Sequence, residues 1–538
     1  MYIIGDMRPN GVPRLLGIAF LALGVLAGFY LLVVQAWYFF GGAAASDAMY
    51  YWTIGRGLLN GLTLYTEIFD TKPPAIYLLS ALSLSFSGDG TLGFWINALM
   101  TLLLPPLFGM AAWKMTQECS SDMRKLWTLL SLLFGTVLTL FAGAIGEAWQ
   151  VEWYGAFFGT LYVLLLVACP RISNQLSLAL LSACVFFTVG FKEPFAFSLL
   201  AVAVILLPDR SARIKNFLVP VAIVVPVACV ALLLFGFAGG YFSVYLPTHF
   251  GHHLVRSMPL WQRGFLLDLL IGNLAQFSYV FAALMTVLFG AELMRSREEE
   301  GYKAIATRAC TVLLALYLVI LAANLRGYPT ANHFAVAVPF YAALFFIFLR
   351  CAIASGTDHL SRTAKIIVAL TALTLLSLAP QAGLGARAEK LKNNAAQESR
   401  NRSVASSIDA ILDACDIDRY FFIEEKPYMP HTAHSPLNFF VYMGPESVVY
   451  HHAIIIERQL QSFSAARVII AEGSAYEIKQ RPEEKLLSEQ VLRYIAGHFA
   501  LTPWPCADGL PLPEGYSVLF RKDPNDTAPF PYRLKYGE

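Results

Sequence analysis

Residues 15–40 read LLGIAFLALGVLAGFYLLVVQAWYFF, a run without a single charged side chain. A helix needs about 20 apolar residues to cross the hydrocarbon core of a bilayer, so this run is long enough for a membrane span. The apolar core of a secretory signal peptide has only about 7–15 residues. Although Ala43-Ala44-Ala45 is typical of a cleavage site, the run is too long for a cleaved leader and predicts the first span of an integral membrane protein.

Charge is distributed unevenly along the 538 residues. Residues 1–384 hold 22 Lys and Arg and 17 Asp and Glu, whereas the much shorter segment 385–538 holds 17 and 20. The chain is 57% hydrophobic and 14% charged, with a mean hydropathy of +0.56, which excludes disorder, a coiled coil and collagen. A net charge of +2 without a basic, aromatic-rich patch argues against nucleic acid as a partner. The composition predicts a membrane domain over 1–384 and a soluble domain over 385–538.

The basic residues between the apolar segments give the orientation of the predicted spans. Ala75–Phe86 is too short for a span and follows Pro73-Pro74. If it does not cross, the N-terminus and the loops on its side together carry 16 Lys and Arg, whereas the opposite loops carry six, in accord with the positive-inside rule. The eleven remaining segments lie near 14–38, 91–113, 127–144, 153–169, 176–190, 195–207, 217–238, 265–293, 309–324, 335–349 and 366–383.

This topology predicts a polytopic α-helical membrane protein of about 11 spans with interfacial juxtamembrane helices. The loop 39–90 and the C-terminal domain 385–538 then lie on the extracytoplasmic face. Cys415 and Cys506 are the cysteines of that domain and could pair in an oxidising compartment, but the sequence leaves the pairing open. The domain is predicted to be α/β, with a polar linker Gln381–Arg402, helices Ser403–Cys415 and Ser488–His498, and strands Arg419–Ile423, Arg467–Ala471 and Tyr516–Arg521.

The loop 39–90 carries charges suited to chemistry at a membrane surface. Asp47 comes a few residues after the first span, and Asp70-Thr71-Lys72-Pro73-Pro74 follows later in the loop. A carboxylate can take the proton of an attacking hydroxyl, and a lysine can neutralise a departing phosphate. Alternatively, Asp47 caps an interfacial helix and Lys72 extends its ammonium group towards water.

Three patterns in this loop resemble the first periplasmic loop of the GT-C glycosyltransferases. They are Asp-x-x-Tyr from Asp47, Gly-x-x-Leu-Tyr ending at Tyr65, and Asp-x-Lys-Pro-Pro-x-x-Tyr from Asp70. The match over residues 40–90 is closest to the branch that contains the protein O-mannosyltransferases and the lipid A aminoarabinose transferase. The resemblance implies a GT-C-like fold and an enzyme that moves a sugar from a polyprenyl-phosphate carrier to an acceptor on the outer face.

The resemblance also implies roles for individual residues. Asp47 matches the catalytic base, and Lys72 matches a lysine that contacts the donor phosphate or positions substrate. Tyr65 and Asp70 are expected at the same substrate site. The aminoarabinose branch has Glu directly before this lysine, where this chain has Thr71, so a metal-binding role there is in doubt and the need for a divalent metal stays undecided.

Other outer loops supply further candidates. Glu152 matches an acidic residue that is common in the family and is expected to assist Asp47 in catalysis. Lys192 also matches a family lysine, and a local pair with Glu193 is the alternative. The long loop 239–264 either binds phosphate or is simply solvated. The remaining candidate phosphate ligands are Arg256, Arg326 and His333.

The sequence therefore predicts an inverting hexosyl- or pentosyltransferase in which Asp47 is the general base and a polyprenyl-phosphate sugar is the donor. The acceptor could be lipid A or lipopolysaccharide, a polysaccharide, a protein or another lipid. We expect a monomer among the lipids of a bacterial inner membrane, with a periplasmic active site and a C-terminal domain that recognises the acceptor.

Two other classes of function compete with this prediction. A secondary transporter or lipid flippase needs ionisable residues deep within its spans, whereas the charges of this chain cluster in the loops. A non-catalytic scaffold leaves the cluster of Asp47 and Lys72 unexplained. Both observations favour an enzyme that works at one membrane face.

Overall fold

The structure is a computed structural model. It describes residues 11–41, 46–88, 90–144, 150–168, 175–207, 210–249, 302–324, 335–354, 371, 373, 375–376, 384–423, 428–441, 453–472, 485–513, 515–526 and 528–531. The chain forms two compact units, and each is described by itself. The helical unit comprises Met1–Gly41, Phe94–Val227 and Met258–Leu391, and the mixed unit comprises Gly42–Gly93, Ala228–Ser257 and Lys392–Glu538.

Helices dominate the described part of the chain. Short helical turns precede and follow the long helix Val219–Leu234. Those before it are Arg210–Arg213 and Ile214–Leu218, and those after it are Ala238–Gly240, Tyr241–Tyr245 and Leu246–Thr248. The long helices are α1 Gly11–Gly41, α2 Ser46–Leu59, α3 Ala75–Ser87, α4 Thr91–Met115, α5 Ser121–Ala144, α6 Val151–Ala168, α7 Gln175–Phe191, α8 Phe195–Leu206, α9 Val219–Leu234, α10 Tyr302–Asn324, α11 Val338–Ala354, α12 Leu384–Ala414, α13 Ala453–Ala465 and α14 Lys485–His498.

Four helical stretches in the described residues are long and apolar enough to cross a membrane: Thr91–Met115, Ser121–Leu140, Val151–Ala168 and Ser211–Leu234. They coincide with the predicted spans near 91–113, 127–144, 153–169 and 217–238. Five other predicted spans coincide with shorter apolar stretches, at Ala22–Ala36, Gln175–Phe191, Phe195–Leu206, Ala309–Val319 and Ala335–Cys351. The predicted span 265–293 and most of 366–383 fall outside the described residues, so the predicted total of 11 spans stays a prediction.

Small residues let the helices of the helical unit approach closely. A Cβ atom at Gly155 of α6 would overlap the Phe195 ring of α8, and one at Gly159 would lie 2.7 Å from Pro339 of α11. Transmembrane helices commonly pack through such small residues, because the hydrophobic effect does not drive their association within lipid. Around these contacts, the ring of Phe134 stacks on that of Phe345 with centroids 4.3 Å apart.

The mixed unit contains a five-stranded sheet with the strand order β2-β1-β3-β5-β4. β1 pairs in parallel with both β2 and β3, whereas β5 pairs antiparallel with β3 and β4. The strands β1 and β3 are mostly aromatic or branched aliphatic, which suits strands buried on both faces. The strands are β1 Arg419–Ile423, β2 Ser435–Pro436, β3 Val468–Glu472, β4 Phe499–Ala500 and β5 Tyr516–Arg521.

The C-terminal part of the mixed unit largely follows the sequence-based expectation of an α/β domain. The three predicted strands are present as β1, β3 and β5, and the Cys415–Cys506 pairing that the sequence left open is a disulfide across 91 residues. The predicted polar linker Gln381–Arg402 is wrong, because its residues from Leu384 onward form the first half of α12. Its Ala, Glu, Lys, Arg and Gln residues are strong helix formers, and the Glu398–Arg402 pair spans one helical turn.

The two compact units group residues that contact one another in space. The predicted boundary at 384 instead marks a change in the density of charged residues along the sequence. The loop 39–90, expected to belong with the membrane domain, falls largely within the same compact unit as the C-terminal sheet. Both predicted interfacial segments of this loop are helices, α2 and α3. The loop therefore packs as part of a globular body that includes the C-terminal residues.

Candidate functional site

The side chain of Asp70 holds together the turn that carries Lys72. Asp70 is only 5% exposed, and its Oδ1 accepts hydrogen bonds from the Thr71 amide at 2.6 Å and the Thr71 hydroxyl at 3.3 Å. Its Oδ2 accepts a hydrogen bond from the Tyr77 hydroxyl at 2.8 Å. Both carboxylate oxygens therefore have donors within the loop, as a buried charge requires.

Two tyrosines fix the backbone of Lys72. The Tyr65 hydroxyl donates to the Lys72 carbonyl at 2.8 Å, and the Lys72 amide donates to the Tyr77 hydroxyl at 3.3 Å. Tyr65 is fully buried and has a φ of +65°, a left-handed conformation that is uncommon for a residue with a side chain. Surrounding contacts must stabilise such a backbone, and it is often found at binding sites.

Aromatic packing supports Tyr65 from the segment after α9. The Tyr65 ring contacts Tyr245 and Tyr241, with centroid distances of 4.8 and 5.8 Å. Gly240 permits this approach, because a Cβ atom there would lie 2.8 Å from the Tyr65 Cβ. The stacking continues from Tyr245 to His249 at 5.5 Å. The left-handed residue is thus enclosed by the mixed unit.

The ammonium group of Lys72 differs from its backbone in being available to a ligand. Lys72 is partly exposed and is followed by Pro73 and Pro74, the latter at the N-cap of α3. Within the described ranges, no carboxylate forms an ion pair with this ammonium. A cation held by a rigid backbone, with no carboxylate partner among the described residues, is suited to bind an anionic group.

Asp47 lies in the first turn of α2 and is partly exposed. The partial positive charge at a helix N-terminus favours a carboxylate there, so the capping alternative and the catalytic one are compatible. One turn later, the Tyr51 ring contacts the Tyr77 ring at 5.9 Å. Gly55 allows α2 to pack closely on α3, because a Cβ atom at Gly55 would lie 2.7 Å from the Ala81 amide. These contacts connect the helix of Asp47 to the hydrogen bonds around Lys72.

The helical unit contains the other described pair of predicted site residues. Glu152 lies in the first turn of α6, and Lys192 lies between α7 and α8. Their side chains form an ion pair and are 3% and 1% exposed. Lys192 is therefore neutralised by a carboxylate 40 residues away in the sequence. Within the helical unit, this ion pair is buried and its two opposite charges balance each other.

The three other predicted phosphate ligands, Arg256, Arg326 and His333, lie outside the described residues. Sequence reasoning gave no role to Tyr77, although the Asp-x-Lys-Pro-Pro-x-x-Tyr pattern contains it. It also missed the packing of Tyr241 and Tyr245 on Tyr65, for which there is no local signal. The described part of the chain contains no group of three or more His, Cys, Asp or Glu residues placed to hold a metal ion.

No protein-family model matches the sequence, and no curated protein matches it either. A solved structure does match: the crystal structure of ArnT from Cupriavidus metallidurans bound to undecaprenyl phosphate. The TM-score is 0.51 at 12% sequence identity, and the match covers 92% of this chain and 97% of that one. The two chains therefore share a fold, which confirms the polytopic helical membrane fold implied by the resemblance to the GT-C glycosyltransferases.

Proposed function

We propose that this chain is a glycosyltransferase that takes its sugar from a polyprenyl-phosphate carrier. The observation that carries the proposal is the fold shared, over nearly the whole chain, with a protein crystallised with undecaprenyl phosphate. The rigid Lys72 turn adds a chemical reason, since it offers a cation to an anionic headgroup. The sequence patterns around Asp47, Tyr65 and Asp70 support the same class of enzyme.

In the proposed reaction, Asp47 accepts the proton of an acceptor hydroxyl. The hydroxyl oxygen forms a bond to the anomeric carbon from the face opposite the phosphate, and the bond between that carbon and the phosphate oxygen breaks. The phosphate leaves with the electron pair of that bond. Because the oxygen attacks from the opposite face, the anomeric configuration is inverted. Lys72 stabilises the charge that develops on the leaving phosphate.

The contacts within the turn separate binding residues from positioning residues. Asp70 and Tyr65 were predicted to touch substrate, but their polar atoms hydrogen-bond to Thr71, Tyr77 and Lys72. We assign both a positioning role: they hold the backbone from which the Lys72 ammonium reaches the phosphate. Glu152 as a catalytic helper, and Lys192, Arg256, Arg326 and His333 as phosphate ligands, stay sequence-based predictions.

The cellular setting follows from the predicted topology. The enzyme would lie in a bacterial inner membrane, with Asp47, Lys72 and the C-terminal domain on the periplasmic side. The acceptor class stays open among lipopolysaccharide, polysaccharide, protein and lipid. A divalent metal also stays open, because the residue before Lys72 is Thr71 rather than the Glu of the aminoarabinose branch.

The test is sugar transfer by purified protein in proteoliposomes, with a panel of radiolabelled polyprenyl-phosphate sugars and bacterial envelope acceptors. We expect product with at least one carrier and a fall of about 10²- to 10⁴-fold in kcat for Asp47→Asn, which removes the base but keeps the shape. Asp122→Asn is the matched control, because Asp122 is an exposed acidic residue in the first turn of α5.

Asp122→Asn should transfer sugar at the wild-type rate. Wild-type turnover by Asp47→Asn would refute the assignment of the base. No transfer from any carrier would refute the enzyme and favour a transporter or flippase.

A further inference from the structure

A backbone bridge joins the Lys72 turn to the C-terminal domain within the mixed unit. The Phe69 amide donates to the Phe439 carbonyl at 2.6 Å, and the Val441 amide donates to the Phe69 carbonyl at 3.3 Å. Phe69 and Phe440 are thus paired as in a parallel sheet, although they belong to opposite ends of the chain. Asp70 and Lys72 follow immediately, so the bridge ends three residues before the proposed phosphate ligand.

Side chains reinforce the bridge from both directions. The Phe69 ring stacks on Phe439 at 5.5 Å and meets Phe440 edge-on at 5.6 Å. The fully buried Gln459 of α13 accepts a hydrogen bond from the Phe440 amide at 2.8 Å and donates to the Phe440 carbonyl at 3.4 Å. The C-terminal segment is therefore held by its own domain as well as by its pairing with the loop.

Polar contacts of two side chains, Arg458 and Asn60, add to this connection. Arg458 of α13 donates to the Thr66 carbonyl at 3.0 Å, and its guanidinium lies 5.1 Å from the centre of the Phe439 ring. Asn60, just after α2, donates to the Ala433 carbonyl at 2.7 Å and to the Ser435 hydroxyl at 2.9 Å. The C-terminal domain thus contacts the loop on both sides of the left-handed residue Tyr65, at Asn60 before it and at Thr66 and Phe69 after it.

We propose that the C-terminal domain positions the donor-binding turn, with Arg458 as a positioning residue. The inference rests on the proposed function and deepens it: residues 392–538 set the affinity for the phosphate of the lipid donor. Lys72 gains affinity from a rigid backbone, because an ordered loop loses less conformational entropy when the ligand binds. The alternative role, recognition of the acceptor, would leave donor affinity independent of these contacts.

The chain offers a matched pair of arginines for the test. Arg458 and Arg467 both lie over an aromatic ring, at 5.1 Å from Phe439 and 5.2 Å from Trp504, but Arg458 also reaches the loop. Undecaprenyl-phosphate binding to the full-length protein in detergent is measured without turnover. Arg458→Gln should weaken binding by about 3- to 10-fold, since part of a charged hydrogen bond is lost, and Arg467→Gln should leave it unchanged.

Two further variants separate positioning from a loss of folding. Arg458→Lys keeps a cation that can reach the Thr66 carbonyl and should restore part of the affinity. Asn60→Ala should weaken binding in the same direction as Arg458→Gln. Hydrogen exchange of residues 62–72 should be faster in Arg458→Gln and unchanged in Arg467→Gln, since the Phe69 amide is protected by the bridge.

Unchanged undecaprenyl-phosphate affinity in Arg458→Gln would overturn the inference, as would unchanged exchange of residues 62–72. A change confined to the KM of the acceptor would overturn it in favour of acceptor recognition. Failure of the proposed function has a different signature, namely no transfer from any carrier by the wild-type protein. Because binding and exchange are read without turnover, the two failures are distinguished.

Discussion

Lys72 and Lys192 occupy the same kind of position in different units. Each lies two residues before a proline that starts a helix, Pro74 for α3 and Pro194 for α8. Lys192 is 1% exposed and paired with the equally buried Glu152. Lys72 is partly exposed, and its backbone rather than its ammonium is fixed by neighbours.

The difference shows how a lysine near a proline-started helix can serve two purposes. A buried ion pair balances its own charges, and its desolvation makes the loss of either partner costly. A cation with a fixed backbone and no carboxylate among the described residues keeps its charge for a ligand. Lys192 should therefore matter most for folding, and Lys72 for binding.

The strongest test of this difference is Lys192→Met. It leaves the Glu152 carboxylate buried without its cation, so the free energy of unfolding should fall by about 3–5 kcal/mol. The double variant Glu152→Gln/Lys192→Met removes both charges and should recover most of that loss. Thermal and denaturant unfolding in detergent measure both. Equal stability of Lys192→Met and the wild type would mean that the pair does not support the fold.

Lys72→Met should lower activity with the lipid donor and leave stability unchanged. The unfolding temperature should stay within error, whereas kcat/KM for the lipid donor should fall by about 10- to 100-fold, as expected for a lost charge-assisted hydrogen bond to phosphate. Lys392→Met is the control, since Lys392 is an exposed lysine of the same unit. A stability loss without a loss of donor affinity would erase the distinction between the two lysines.

Tyr65→Phe examines whether the backbone of Lys72 needs to be held. Loss of the bond from the Tyr65 hydroxyl to the Lys72 carbonyl should cost about 0.5–1.5 kcal/mol and weaken donor binding by about 2- to 5-fold. Tyr420→Phe is matched, because it removes the contact of another buried hydroxyl in the mixed unit, with Thr432. It should lower stability by a similar amount at unchanged donor affinity. Equal affinity in both variants would contradict the positioning role.

A partly exposed ion cluster should give the smallest effect. Burial raises the pKa of Glu398, but hydrogen bonds and charge from His431 and Arg402 outweigh it, so this pKa lies below its ordinary value of 4.5. The folded protein thus binds this proton less readily than the unfolded chain. The resulting stability is complete above the ordinary pKa and is lost as pH falls from there through the lower folded pKa.

Glu398→Gln should therefore reduce stability at pH 7 by less than about 1 kcal/mol and flatten its decline in acid. Unfolding temperatures between pH 7 and pH 3 provide the measurement. Glu489→Gln is the control, because Glu489 pairs with Arg493 at the surface of α14. Parallel pH curves for Glu398→Gln and the wild type would show that Glu398 does not contribute to the acid dependence.

Local patterns predicted much of the fold. β1 and β5 have the predicted bounds, because dense aromatic and branched residues between polar turns leave few alternatives. The first half of α12 was predicted as a linker, since an exposed helix and a solvated loop have similar compositions. The helix α13 was not predicted, although it supplies Arg458 and Gln459.

The site was predicted as residues but not as contacts. Asp47, Asp70 and Lys72 were singled out from the patterns of one loop, 39–90, where charges and family motifs lie close together in the sequence. The Glu152–Lys192 pair and the Phe69–Phe440 bridge join residues that are far apart in sequence, and a single sequence contains no record of such proximity. The Cys415–Cys506 disulfide, which closes a loop of 91 residues, stayed undecided for the same reason.

The contacts between the loop and the C-terminal domain also constrain the order in which the mixed unit folds. Asn60 contacts Ala433, a residue made 373 positions later. At a synthesis rate of about 5–20 residues per second, the loop must wait for roughly 20–75 s before its partner leaves the ribosome. A nascent chain interrupted before Ala433 would therefore hold Lys72 only by the contacts within the loop, from Tyr65 and Tyr77, and would lack those that the C-terminal domain adds.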